Sequence, residues 1–253
     1  MIYPGLVSIT FRELTPAMIV ALARQVDIAA IEWRGNVHVP HGNMKQADTV
    51  GRMTRDAGLS VAAYGSYYRV GHSEQEGLTF ASVLDTARAL GAPLIRVWAG
   101  KFPSAKADDA YHQNIAQELR RLAELASAQG LTVACEYHGG TLTDTHESAA
   151  RLIADIQHPA MRTYWQPPVG TNSDTCLAGL RAMLPGLANV HVYHWGAKNS
   201  RLPLKDGAEA WRQYLELIRT TGRDHGALLE FVRDSSPASF MQDVQTLKSW
   251  LSP

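Results

Sequence analysis

The chain has 253 residues, of which 45% are hydrophobic, and its 24 Lys and Arg residues balance 24 Asp and Glu residues. This composition supports one sizeable core, and the length is close to the roughly 250 residues of a single eight-stranded barrel. The balanced charge argues against a protein that binds nucleic acid or anionic membranes, so we expect a small-molecule partner.

Features that the sequence lacks also indicate where we expect the protein to act. No apolar run approaches the roughly 20 residues that cross a bilayer, and no basic segment leads into an apolar signal sequence. Two cysteines, Cys135 and Cys176, are too few for a disulfide framework. We therefore expect a cytoplasmic protein with no association with membranes.

Short apolar runs alternate with segments of helical periodicity along the chain. We predict strands near 3–10, 28–33, 59–64, 93–98, 131–136, 161–166, 188–194 and 226–231. We predict helices near 15–26, 44–57, 74–90, 108–129, 144–156, 173–184, 207–221 and 237–251. This alternation predicts one α/β domain over residues 1–253, a closed (β/α)8 (TIM) barrel. An open doubly wound sheet is the alternative, but the chain has no Gly-x-Gly-x-x-Gly after its first strand and no Walker loop.

Glycines and capping residues mark the ends of these segments. Four glycines directly follow predicted helices, where a left-handed residue closes a helix at low cost: Gly58, Gly91, Gly130 and Gly222. Helix starts are predicted at Thr15-Pro16 and Ser236-Pro237, and capping-box spacing places two more at Ser73 with Glu76 and at Asp144 with Glu147.

Four polar residues stand where predicted strands end: Glu136, Gln166, His191 and Glu230. The carboxyl ends of parallel barrel strands meet at one mouth, where the active sites of such barrels lie. Their oxygen and nitrogen atoms suit one divalent cation, with Mg or Mn favoured by the oxygen donors. Each has an alternative interpretation: an arginine ion pair for Glu136 and Glu230, a core histidine for His191, and an orienting hydrogen bond for Gln166.

Several residues near these strand ends are candidates for substrate contact. His191 and His194 are three positions apart and cannot both face inward on a regular strand, so we assign His191 to the ligand set and His194 to the substrate. The other candidates are Glu32, Trp33, Arg96, Trp98, His138 and Arg201. Trp33 could instead seal the core, Arg96 could be a buried ion-pair partner, and Arg201 could be solvated.

Longer segments resemble the sugar phosphate isomerase/epimerase family, the xylose isomerase-like barrels. They are Ala30-Ile31-Glu32-Trp33-Arg34-Gly35, Val37-His38-Val39-Pro40-His41-Gly42, Ile95-Arg96-Val97-Trp98-Ala99-Gly100, Cys135-Glu136-Tyr137-His138-Gly139-Gly140-Thr141-Leu142-Thr143, Tyr164-Trp165-Gln166-Pro167-Pro168 and Val190-His191-Val192-Tyr193-His194-Trp195. The resemblance covers nearly the whole chain. Relatives include ketose 3-epimerases, hydroxypyruvate isomerases, inosose dehydratases and apurinic endonucleases, so the resemblance specifies the fold more closely than the reaction.

The resemblance implies a Glu, Asp, His, Glu set that holds one divalent cation, here Glu136, Gln166, His191 and Glu230. Gln166 departs from that pattern, because an amide replaces a carboxylate and weakens the expected affinity for the cation. It also implies an isomerase of carbohydrate metabolism that acts on a sugar or sugar phosphate. Glu136 and Glu230 would move a proton beside a carbonyl through an enediolate.

Three alternatives share this scaffold. An inosose dehydratase-like lyase would form the same enolate and expel a hydroxyl group. A sugar-binding barrel with little catalysis is suggested by Gln166. The nuclease branch, to which His38 and His41 direct attention, would require a basic groove and more metal ligands than the sequence offers. Barrels of this group often associate, so homo-oligomer formation stays open.

Overall fold

The computed structural model describes residues 1–196 and 199–252. Eight parallel strands form a closed barrel in chain order, β1 to β8. They are β1 Ile2–Val7, β2 Ala30–Arg34, β3 Ser60–Arg69, β4 Leu94–Trp98, β5 Thr132–Glu136, β6 Met161–Trp165, β7 Leu187–Val192 and β8 His225–Leu229. Because β8 pairs with both β7 and β1, this sheet has no free edge.

Eight α-helices follow the strands and cover the outside of the barrel. They are α1 Pro16–Gln25, α2 Met44–Asp56, α3 Phe80–Leu90, α4 Asp109–Ser127, α5 His146–Ile156, α6 Ser173–Met183, α7 Ala208–Arg219 and α8 Pro237–Leu251. Their apolar faces pack on the outward-facing strand residues in one continuous core. No helix in the described ranges is both long enough and apolar enough to cross a membrane.

The helix ends follow the sequence signals in part. The four predicted glycines have φ between 64° and 77°, and Thr15 and Ser236 cap α1 and α8 as predicted. Both predicted capping boxes are wrong. Thr79 caps α3 by accepting a hydrogen bond from the Ser82 amide at 3.3 Å, and Thr145 caps α5. Longer loops enter these two helices, where Ser73 accepts a hydrogen bond from the Arg69 amide at the end of β3 and Asp144 accepts one from the Ser104 amide.

The strand period of two explains which residues reach the barrel mouth. A small cluster, which we place inside the barrel, includes Ala30, Leu94, Ala134, Tyr164 and Leu228. Two positions further along each strand, on the same face, come the polar side chains of Glu32, Arg96, Glu136, Gln166 and Glu230. The interior is therefore apolar below and polar at the carboxyl ends, where the candidate site lies.

β3 is longer than predicted because it contains an irregularity. The pairing with β4 shifts between Gly65 and Tyr68, and Tyr67 within this shift has a left-handed φ of 58°. Such a backbone conformation is uncommon for a bulky residue and often accompanies functional sites. Here it carries the Tyr67 ring to the cavity at the barrel mouth.

Candidate active site

His191 is the centre of a buried polar cluster. Its Nδ1 atom lies 3.2 Å from Glu136 Oε1, 3.3 Å from Gln166 Oε1 and 3.4 Å from Glu230 Oε2. All four side chains are buried. Residues on four different strands or strand ends, far apart in sequence, therefore converge around one nitrogen.

Hydrogen bonds and ion pairs from Glu32, Arg96 and Trp98 hold His191 and Glu136 in place within this cluster. His191 Nε2 lies 3.2 Å from Glu32 Oε2, and the other Glu32 oxygen accepts a hydrogen bond from Arg96 Nε at 2.7 Å. Arg96 also donates through Nη1 to Glu136, and the Trp98 indole donates to the same Glu136 oxygen. These contacts hold the imidazole ring and the Glu136 carboxylate in defined orientations.

The cations and carboxylates of the cluster shift one another's pKa. Burial alone would raise the pKa of Glu32 and Glu136, but Arg96 and His191 outweigh it and hold both values well below normal. Burial would lower the pKa of His191, yet Glu230 and Glu32 raise it to about 10. His191 is therefore an imidazolium near neutral pH.

Glu230 differs from the other two carboxylates. Burial raises its pKa to about 7, Glu136 adds to the rise, and His191 only partly opposes it. Glu230 also makes no direct contact with Arg96, which is bound to Glu32 and Glu136. Two neighbouring carboxylates thus have pKa values pushed in opposite directions, a pattern typical of acid and base pairs.

The cluster offers donor types that suit a divalent cation, namely carboxylate and amide oxygens and an imidazole nitrogen. No group of three or more His, Cys, Asp and Glu side chains in the described ranges is arranged to hold a metal ion as it stands. The imidazolium and Arg96 supply the positive charge among these oxygens, so a cation would enter by displacing the His191 proton.

A cavity of about 600 Å³ opens above the cluster at the carboxyl ends of the strands. Glu136, Gln166 and Glu230 are in its lining. One wall is aromatic, because the His138 ring lies 4.7 Å from the Trp98 ring and the two planes are 36° apart. Such a wall suits the apolar face of a small polar ligand such as a sugar.

The structure places the other predicted residues at different depths. Arg96, Trp98 and His138 line the cavity, and their contact with a substrate stays a prediction. Glu32 lies beneath them and is wholly buried against Arg96 and His191. Arg201 borders the cavity, with its guanidinium carbon 4.7 Å from the centre of the Phe231 ring, which is part of the lining.

Trp33 and His194 point away from the cavity, contrary to our prediction of substrate contact. Trp33 is next to the inward-facing Glu32 on β2, and neighbouring strand residues face opposite sides, whereas His194 lies two residues beyond the end of β7. The Trp33 indole donates to Thr54 on α2 at 3.1 Å, and His194 packs beside Gly207. The core-sealing alternative for Trp33 therefore agrees with its position.

His38 and His41 are held by contacts within the fold. His38 is buried between Ser8 Oγ at 2.9 Å and the Phe11 carbonyl at 3.2 Å. His41 Nδ1 lies 2.7 Å from the Tyr64 hydroxyl. These contacts connect the β2–α2 loop to the barrel, and they offer no support for a histidine-rich nuclease centre.

Sequence reasoning missed several residues that line this cavity, among them Arg12, Arg34 and Tyr67. Arg34 has the same strand parity as Glu32, so alternation along β2 could have indicated it. Arg12 follows a short 3-10 turn, Ser8–Phe11, after β1. Tyr67 reaches the cavity through the irregularity in β3, and no residue pattern in the sequence predicts that irregularity.

Fold and site together define a (β/α)8 barrel with a carboxylate and histidine cluster at the catalytic face. The chain belongs to the xylose isomerase-like TIM barrel family, whose sequence model matches residues 20–250. No curated protein matches this sequence.

Solved structures of low sequence identity share the fold over nearly the whole chain. The probable 3-DHS dehydratase AsbF of Bacillus anthracis has a TM-score of 0.80 at 19% identity, covering 98% of this chain and 99% of its own. The 3-keto-D-glucoside 4-epimerase YcjR of E. coli has a TM-score of 0.73 at 16% identity, covering 98% of each chain. A xylose isomerase-like TIM barrel protein of Mycobacterium smegmatis, solved in complex with magnesium, has 0.71 at 17% identity, covering 99% and 98%.

These structural neighbours include an epimerase and a probable dehydratase, and one of them binds a divalent cation. At such identities the likeness concerns the fold. The reaction of this chain must be argued from its own site.

Proposed function

We propose that the protein is a sugar isomerase or epimerase that moves a proton on a carbon next to a carbonyl, through an enediolate. The observation that carries this proposal is the pair Glu136 and Glu230, which share His191 Nδ1 as a neighbour and have pKa values displaced in opposite directions. Proton transfer to and from carbon needs groups that exchange protons near neutral pH.

Glu230 is suited to the transfer itself. A carboxylate with a pKa of about 7 is a stronger base than an ordinary one and is still ionised in part of the population at neutral pH. Glu136 is held ionised by Arg96 and His191. We assign both the removal of the proton and its return to carbon to Glu230, and we assign Glu136, which stays ionised, to the set of side chains that would hold a cation.

Positive charge beside the substrate oxygens would stabilise the negative charge that develops on them. Arg96 provides part of it from within the cluster. Glu136, Gln166, His191 and Glu230 would hold a Mn or Mg ion, and the bound cation would supply a stronger positive charge at the carbonyl oxygen. Trp98 and His138 would orient the sugar ring or chain against the aromatic wall.

The direct test is exchange of substrate hydrogen with solvent deuterium, over a panel of ketoses, aldoses and inososes with Mn added. Exchange at the carbon beside the carbonyl is expected for at least one sugar and is expected to fall by about 100-fold or more in Glu230→Gln, since a general base contributes about that much. Glu216→Gln, an exposed glutamate on α7, is the matched control.

Exchange that persists in Glu230→Gln would remove this residue from the proton transfer. Absence of exchange across the panel, with the wild-type protein folded and loaded with Mn, would contradict the proposed reaction. Product analysis of the exchanging sugar then separates an epimer from an isomer and from a dehydrated product.

A further inference from the structure

Three arginines lie in or next to the lining of the cavity. Arg12 follows the turn after β1, Arg34 ends β2, and both line the cavity. Arg201, in the loop after β7, lies with its guanidinium over the rings of Phe231 and Trp195, which also line it. We call these three residues the arginine rim.

The arginine rim has no carboxylate partner. Ion pairs within 4.0 Å among the described residues involve other arginines, such as Arg52, Arg96, Arg121 and Arg151. Arg34 donates through Nε to Asn36 and stacks on Tyr67 at 4.5 Å. Guanidinium groups near a cavity that are not paired in this way are typical of sites that bind anions.

Two buried donors beside the cavity lack acceptors. Arg34 Nη1 and Trp195 Nε1 are both inaccessible to solvent and make no hydrogen bond within the described part of the chain. A buried donor without a partner costs about 1–3 kcal/mol. A ligand that brings acceptor oxygens would satisfy such donors.

The three guanidinium groups also act on one another. Burial is the main influence that lowers the pKa of Arg34 and of Arg201, and the positive charge of Arg12 lowers both further. Glu230 acts on both in the opposite sense but does not form an ion pair with either. The repulsion between these positive charges decreases when an anion binds beside them.

We propose that the arginine rim binds an anionic group of the substrate, a phosphate or a carboxylate. This inference rests on the proposed function, because it names the substrate class of the same cavity. The cavity would hold the anionic end of the molecule at the rim while the carbonyl end reaches Glu136 and Glu230. Phosphate and carboxylate each present a pair of oxygen atoms that a guanidinium group binds with two parallel hydrogen bonds.

Calorimetric titration tests the inference without relying on turnover. The probes are inorganic phosphate, fructose 6-phosphate, the ketose acid fructuronate and neutral fructose, each added to the wild-type protein. We expect an anionic ketose to bind about 10-fold or more tightly than fructose, with affinity that falls as salt is raised. Preference for the phosphate or for the carboxylate identifies which anion the rim accepts.

Variants locate the effect. Arg34→Gln is expected to lose about 10-fold or more in affinity for the preferred anionic ketose, with fructose binding changed less than about 2-fold. Arg34→Lys keeps the charge but not the paired donors, so an intermediate loss is expected. Arg24→Gln, an exposed arginine on α1, is the matched control, and Arg12→Gln provides a second rim variant if Arg34→Gln folds poorly.

The inference is overturned if no anionic probe binds, if fructose binds as tightly as the anionic ketoses, or if the rim variants behave like Arg24→Gln. The same titrations in Glu230→Gln separate the two proposals. Retained anion preference without any proton exchange in the wild-type protein would contradict the proposed reaction alone. Proton exchange by the wild-type protein with no preference for anionic ketoses over fructose would contradict the arginine rim alone.

Discussion

Arg96 is the residue on which the order of the candidate site depends. Its guanidinium group binds Glu32 and Glu136 at once and lies 4.9 Å from the centre of the Tyr67 ring. A buried cation of this kind is stable only while its carboxylate partners are present. The three carboxylates of the site therefore differ in what their removal should do.

We predict opposite effects on stability for two glutamine substitutions. Glu136→Gln leaves Arg96 with one partner fewer and should lower the free energy of unfolding by about 3–5 kcal/mol. Glu230→Gln should instead become more stable relative to the wild type as pH rises. The folded-state pKa of Glu230 is raised from 4.5 to about 7, so its stabilising contribution is present below pH 4.5 and is lost as pH rises through 7.

Urea denaturation at pH 5 and pH 8, without added divalent cation, measures both effects. The gain of Glu230→Gln over the wild type between these pH values should be on the order of 1–3 kcal/mol. A difference between the two proteins that does not change with pH would contradict the raised pKa. A stable Glu136→Gln would mean that Arg96 does not depend on this carboxylate.

Gly65 permits the close approach of Glu32 and Arg96. A Cβ atom at this position would lie 2.7 Å from Glu32 Oε1 and 3.0 Å from Arg96 Nη2. Gly65→Ala should therefore destabilise the protein by about 1–3 kcal/mol through overpacking and should weaken substrate binding by displacing the pair. Gly139→Ala is the control, since no atom lies within 4 Å of its added methyl group. Equal thermal stability of the two variants would argue against this crowding.

At the scale of elements, the sequence predicted all eight strands and all eight helices, because apolar periodicity and helix-closing glycines mark them locally. It failed at the starts of α3 and α5, where several Ser, Thr and Asp residues compete to cap and only the path of the loop decides. It also failed to extend β3, because the shift around Tyr67 depends on pairing with β4. The same limit hid Tyr67 from the candidate site.

The start of α3 gives a test at this scale. Thr79→Ala should lower stability by about 1 kcal/mol, because it removes the hydroxyl that accepts from the Ser82 amide. Glu76→Ala should change stability by less than about 0.5 kcal/mol, although the capping-box spacing with Ser73 would have made it costly. A larger loss of stability in Glu76→Ala would instead support the helix start near residue 74 that the sequence predicted.

For the whole molecule, the predicted strand-end residues do converge, while their role as a metal or catalytic site stays a prediction. Glu136, Gln166, His191 and Glu230 come together because parallel closure brings every strand end to one mouth. Trp33 was misplaced since strand parity was not applied to it, and His194 lies beyond the end of β7, where the loop decides its direction. Strand alternation could likewise have indicated Arg34, whereas Arg12 and Arg201 lie in loops whose courses no local residue pattern predicts.

Mn is expected to stabilise the whole fold. At 100 times its dissociation constant a cation that binds only the folded state adds about 2.7 kcal/mol, which raises Tm by about 5–10 °C for a chain of this size. The shift should be larger at pH 8 than at pH 6, because the protons of His191 and Glu230 must leave. Gln166→Asp should enlarge the Mn-dependent rise in Tm at subsaturating Mn, because it restores a negative charge.

Differential scanning calorimetry at both pH values measures these shifts. His191→Asn, which lacks the imidazole donor, serves as the comparison and should lose most of the Mn effect. An equal shift in the wild type and in His191→Asn would place the cation elsewhere on the protein.

The pairing of β8 with both β1 and β7 has a consequence for assembly. Glu230 follows the last strand to be synthesised, whereas Glu32 belongs to the second, and both must lie beside the imidazole of His191. Glu230 is therefore absent from the cluster around His191 until β8 is in place, so closure of the barrel and arrival of the proposed base depend on the same last strand.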